Sequence, residues 1–170
     1  VQPQRNWKGL EIGAGTGLVG LQLLPMIQSL VCVDTSEAMI HVLKEKVSGK
    51  ENIEVIFGEV FDYQQQDVDF VFSNMSFHHI ENIPDTLAHL HRITNSGAII
   101  AIGDIRTEDG SFHRFNPIPH KGFETDELSH WFEDAGFNVR LVSTYHTLVQ
   151  EKIPGKISEY EQFILIAERD

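Results

Sequence analysis

Short apolar runs alternate along the chain with longer stretches in which apolar residues recur every three or four positions. The first pattern suits strands buried on both faces, and the second suits amphipathic helices. Residues 7–12 form the first apolar run. Residues 18–28 follow with Leu18, Leu21, Leu24 and Ile27 at helical spacing, which predicts a helix with those four on one face. A second strand is expected over 30–33, closed by Asp34. Ser36 is placed to cap a helix over 37–47 with Met39, Val42, Leu43 and Val47 inward. Further strands are expected at 53–57, 68–72 and 98–105. Helices are expected at 84–93, opened by Pro84, and at 125–135, ended by Gly136. Residues 106–124 read as a long loop, with Phe112, Phe115, Phe123 and Pro117-Ile118-Pro119 as a candidate lid or substrate wall. Strands at 137–145 and 163–167, joined by a turn at 152–156, complete the chain.

This alternation implies an α/β fold with a mainly parallel sheet and helices on both faces. The last two strands have no helix between them, so at least one must run antiparallel. Residues 1–170 suit a single domain with one sizeable core. Asp plus Glu number 25 against 13 Lys plus Arg, a formal charge of -12, and no basic stripe interrupts the acids. Docking on nucleic acid is therefore not expected. No apolar run reaches the roughly 18 residues of a membrane span, so no membrane partner is expected either. The lone cysteine, Cys32, offers no internal disulfide and no Cys-x-x-Cys metal site, which points to a reducing, cytoplasmic setting.

The chemistry concentrates in LEIGAGTGLVG, residues 10–20, a glycine-rich turn between an expected strand and an expected helix. Glycine admits positive φ and lets a ligand approach the backbone. A dinucleotide fingerprint would place its third glycine at position 18, but that residue is Leu18 and the glycine is Gly17. Glu11 leads into the turn, where a carboxylate repels phosphate and attracts an amine or sulfonium. Asp34 ends the second strand, where an acid can accept from both hydroxyls of an unphosphorylated ribose. These features favour S-adenosyl-L-methionine over a nicotinamide dinucleotide.

Together with VCVDTSEAMI, VIFGEVFD, VDFVFSNMSFHHI and GAIIAIGDI, the turn resembles the class I, Rossmann-like S-adenosylmethionine-dependent methyltransferases, in their order and at their intervals, over about residues 8–168. The resemblance implies a seven-stranded sheet of order 3-2-1-4-5-7-6 with strand 7 antiparallel. It also implies that Glu11, Gly13, Gly15 and Gly17 shape the pocket for the methionine part, that Asp34 binds the ribose hydroxyls, and that Ala14 and Thr35 belong to the cofactor site. Met39 would lie against the adenine, Glu59 and Val60 would meet its amine edge, and Asn74 would flank the cofactor and face the substrate.

The run Asn74-Met75-Ser76-Phe77-His78-His79 lacks the Asn/Asp-Pro-Pro-aromatic tetrad of adenine N-methylating enzymes and looks like methyltransferases of small metabolites. Cys32 stands on the wrong strand to be the nucleophile of a cytosine C5 enzyme. His79 and His113 are the candidates for a general base. The spacing of His78, His79, His113 and His120 matches no metal pattern, so no metal is expected. Only Val1 to Asn6 precede the first strand, where small-molecule members of the family carry cap helices. Those helices are expected to be absent, leaving an open substrate side for a second copy or a partner subunit to cover. A protein side-chain methyltransferase, a non-catalytic cofactor-binding module and a nicotinamide-linked oxidoreductase stay open as alternatives.

Overall fold

In the computed structural model, which describes residues 1–113 and 117–170, Lys8–Ile12 form β1. From Gly9 onward this strand is buried, because parallel partners lie on both sides of it. Those partners are β2, Ser29–Asp34, and β4, Val68–Asn74. Beyond β2 lies β3, Ile53–Phe57, and beyond β4 lies β5, Thr94–Ile105, both also parallel. The last two strands, β6 (Phe137–Ile153) and β7 (Lys156–Arg169), form a hairpin. In it β7 lies antiparallel between β5 and β6. The order is β3-β2-β1-β4-β5-β7-β6, the one implied by the resemblance.

Side chains of the central strands alternate between two cores, as the two-residue period of a strand requires. Leu10, Ile12, Val31, Val33, Ile100 and Ile102 face one core. There they meet α3 (Ile83–Ile93) and α4 (Thr125–Asp134). Leu30, Cys32, Phe70, Phe72 and Ala101 face the other, packed on α2 (Glu37–Lys46) and on the segment after α1 (Gly20–Leu23).

Several expected elements differ. The helix expected over 18–28 is only α1 and a 3-10 turn over Leu24–Met26. Pro25 lacks the N–H that would continue the α pattern. Leu24 and Ile27 are buried, but Leu18 precedes the helix and is 75% exposed. The inward face of α2 is Ile40, Leu43 and the following Val47, so Met39 and Val42 point outward instead. The hairpin strands are far longer than expected and turn at Pro154-Gly155, where Gly155 has φ 77°. Pairing with β5 covers only Gln162–Glu168 of β7. Residues 156–160 thus pair with β6 alone, and Lys156, Ser158 and Glu159 among them hide the strand signal. The loop after β5 is zipped at its base, where Thr107 N–H donates to Phe123 O and Glu108 N–H to Lys121 O. Phe123 is core rather than lid. Phe115 lies outside the described residues.

Phe163 on β7 is fully buried, with its ring edge-on to Phe123 and under the Arg106 guanidinium. Phe163→Ala is expected to cost about 3–5 kcal/mol in urea unfolding. A loss below about 1 kcal/mol would mean that β7 is not anchored there.

Candidate active site

The parallel strands β1, β2 and β4 end on one edge of the sheet, and the chain reverses its winding between β1 and β4. Ligands of open α/β sheets bind outside such a switch point. A cavity of about 850 Å³ opens there, lined by residues that include Gly13, Asp34, Thr35, Glu59, Val60, Ser76, His79, His120 and Trp131.

The three glycines of the first turn all have positive φ, 68°, 54° and 80°, each for a different reason. A Cβ on Gly13 would sit 2.2 Å from Ser76 Cβ, so this glycine lets the loop after β4 close against the first turn. A Cβ on Gly17 would meet Leu43 Cδ1 at 2.6 Å, so that glycine seats the turn on α2. A Cβ on Gly15 would meet nothing within 4 Å, so this glycine is set by its positive φ and not by crowding. Ala14 is buried, with its N–H donating to Val33 O.

Asp34 joins the first two βα turns. Its Oδ2 accepts from Gly15 N–H at 2.7 Å and its Oδ1 from Ser36 N–H at 2.8 Å. A carboxylate has about four acceptor sites, so each oxygen keeps one for a ligand hydroxyl. Glu59 and Val60 stand on the opposite wall, where Glu59 N–H is held by Asp62 Oδ2 and Val60 O accepts from His89 Nε2. Glu11, Ala14, Gly15, Gly17, Met39 and Asn74 are not among the lining residues. Met39, at 44% exposure, sits on the first turn of α2. Asn74 is exposed at the end of β4, with Gly103 of β5 alongside.

Glu11 is turned beneath the loop. Its Oε1 accepts from Gly20 N–H at 3.1 Å, and its Oε2 lies 3.6 Å from the Cys32 thiol. Burial pushes its carboxyl up to about 7, and the Asp34 charge adds to this, while the Gly20 N–H and the thiol oppose it. The Cys32 thiol is pushed up by the same burial and by the neighbouring Glu11.

Sequence reasoning missed three features. Met75, just past β4, has φ 56°, which is uncommon for a non-glycine residue. Its N–H donates to Gly103 O at 2.7 Å, which holds the bend that presents Ser76 to Gly13. The second is a buried carboxylate, Asp104 on β5. It accepts from His78 Nδ1 at 2.6 Å and from His78 N–H at 3.1 Å. The third is the gathering of His78, His79 and His113, whose ligand atoms lie within 4.8 Å of one another although the spacing suggested no such cluster. Burial lowers the pKa of both His79 and His113, and the neighbouring imidazoles lower it further. His120 Nε2 is buried with no hydrogen-bond partner among the described residues, and its residue lines the cavity. The spacing of a GDI triplet at a strand end from an HH pair could have flagged the Asp104–His78 contact only with the sheet register known.

Comparison with known proteins agrees with this geometry. Residues 10–102 match the family described as "Methyltransferase domain". A malonyl-[acyl-carrier protein] O-methyltransferase of Ilyobacter polytropus is 34% identical over 94 residues, 54% of this chain and 36% of that protein. A demethylmenaquinone methyltransferase of Staphylococcus aureus is 26% identical over 103 residues, 57% of this chain and 42% of its own. A solved S-adenosylmethionine-dependent methyltransferase of Aquifex aeolicus superposes with a TM-score of 0.75 at 25% identity, over 98% of this chain and 84% of that one. The chain belongs to the methyltransferase domain family, with the class I Rossmann-like fold and S-adenosylmethionine as its cofactor. It spans less than half the length of these two curated relatives. No helix among the described residues is long and apolar enough to cross a membrane.

An acid whose folded pKa is raised loses stability as pH rises from its unfolded value towards its folded one. For Glu11 that window runs from 4.5 to about 7. A shift of this size corresponds to about 3 kcal/mol. Glu11→Gln keeps the acceptor for Gly20 N–H and removes the ionisation. In urea unfolding of the ligand-free protein, the variant should gain stability relative to the parent as pH goes from 4.5 to 8. A difference that does not vary with pH contradicts the assignment.

Proposed function

We propose that this chain transfers the methyl group of S-adenosylmethionine to a small molecule. The observation that carries this reading is the charge of the cavity. Its described lining holds three carboxylates, Asp34, Glu59 and Glu81, and no lysine or arginine. A pyrophosphate would meet repulsion there, whereas a ribose and a cationic sulfonium would not. The site also fits the cofactor sterically, since no side chain at Gly15 intrudes beside Asp34, whose oxygens keep acceptor sites free.

When bound, the cofactor supplies an electrophilic methyl group on sulfur, so the protein's task is chiefly alignment and exclusion of water. Asp34 would hold the ribose hydroxyls, and Glu59 with the Val60 N–H would take the adenine edge. Ser76, pinned to Gly13 O at 3.3 Å, fixes the floor between cofactor and acceptor. His79, His120 and Trp131 line the part of the cavity left for the acceptor. The relative named for demethylmenaquinone supports a small-molecule acceptor.

Asp34→Ala should weaken binding of S-adenosylhomocysteine by about 1–3 kcal/mol in calorimetry, and NADH should not bind either protein. An unchanged affinity removes Asp34 from the site, and NADH binding overturns the reading. A labelled-methyl screen across metabolite fractions then identifies the acceptor.

A further inference from the structure

His78, His79 and His113 come from two segments, the 3-10 turn Phe77–His79 and the loop after β5. Their rings pack with centroids 4.3, 4.8 and 5.2 Å apart. Only His78 and His113 meet nitrogen to nitrogen, with Nε2 atoms 2.9 Å apart. Their orientations show what the arrangement favours. The His78 ring is 1% exposed and cannot turn freely, because its Nδ1 is bonded to Asp104 Oδ1. Asp104 is itself fixed by N–H groups of His78 and Ile105. With Nδ1–H donated to the carboxylate, Nε2 presents its lone pair, and it does so 2.9 Å from His113 Nε2. His79 closes the third side and also lines the cavity.

We propose that His78, His79 and His113 bind a divalent transition metal of the zinc class, with a vacant position facing the cavity. Three imidazoles are a ligand set that suits such ions, and three protein ligands with one open position mark sites that take an exchangeable ligand. The Asp104–His78 contact is the outer-sphere carboxylate that orients a metal-binding imidazole and makes it more basic. Asp104 is fully buried, and neither lysine nor arginine is among its hydrogen-bond partners here, so a dication one ring away would compensate its charge. Tetrahedral zinc, with nitrogens at about 2.0–2.1 Å, would set them about 3.3 Å apart. The His78–His113 pair would open slightly to reach that spacing, and the exposed His79 would rotate inward. The open position would take an oxygen of the acceptor, a hydroxyl or carboxylate. Capture of the acceptor oxygen rests on the cavity being the acceptor site, whereas metal binding itself does not.

The test is equilibrium dialysis of the EDTA-treated protein against zinc chloride, with cobalt chloride as a spectroscopic probe. One equivalent of zinc should bind per chain, and cobalt should give the visible absorption of a tetrahedral nitrogen site. The double variant His79→Ala, His113→Ala should lose both signals while keeping its circular dichroism spectrum, since neither residue is fully buried. His146→Ala, on the exposed hairpin, should behave as the parent. Failure of the parent to bind one equivalent overturns the site, as does undiminished binding by the double variant. S-adenosylhomocysteine binding by the same EDTA-treated protein separates the two readings. If it persists without zinc binding, only the metal site falls. If it is absent, the cofactor reading of the cavity falls.

Discussion

The hydrogen bond from Gly15 N–H to the Asp34 carboxylate is the interaction on which the rest of the site depends. It ties the turn after β1 to the end of β2, and the same side chain also takes the Ser36 N–H that leads into α2. The turn that carries the Gly15 N–H holds three alternate glycines, Gly13, Gly15 and Gly17, all at positive φ. With any side chain at Gly13 the Ser76 wall could not close, and with one at Gly17 the turn would be pushed off Leu43. The open cleft at the sheet edge follows from these packing constraints, with Asp34 at its centre.

Charge then decides what the cleft accepts. A helix N-terminus beside a glycine turn is a general anion site, yet here the nearest carboxylate, Glu11, takes the Gly20 N–H at the start of α1 for itself. The described lining adds acids and no Lys or Arg. The same backbone plan that serves pyrophosphate in dinucleotide enzymes is thereby turned towards an uncharged ribose and a cation.

Much of this was legible along the chain, for physical reasons. The central strands β1, β2, β4 and β5 are largely buried on both faces and stand out as apolar runs, and the missing helix between β6 and β7 pointed to the antiparallel insertion. The glycine pattern and Asp34 were legible because φ and hydrogen bonding restrict what those positions can hold. Helical phase was less so. On α2 Leu43 and Val47 face inward as expected, but Ile40 does so in place of its apolar neighbour Met39, and Val42 faces out. The expected first helix ran past Pro25, and the hairpin arms outside β5 carry polar residues on both faces. The histidine cluster was invisible to spacing rules, since His113 reaches His78 only through the register that places Asp104 beside it. Glu11 was expected at the methionine pocket but lies beneath the turn, an orientation that depends on the room left by Gly20.

The most direct measurement of the central claim is a crystal structure of the protein with S-adenosylhomocysteine. The ribose hydroxyls should lie on Asp34, the adenine between that strand end and Glu59, and the thioether facing Ser76 and His79. A ligand seated elsewhere on the chain, or a cleft that binds the adenosyl group without engaging Asp34, would contradict that claim.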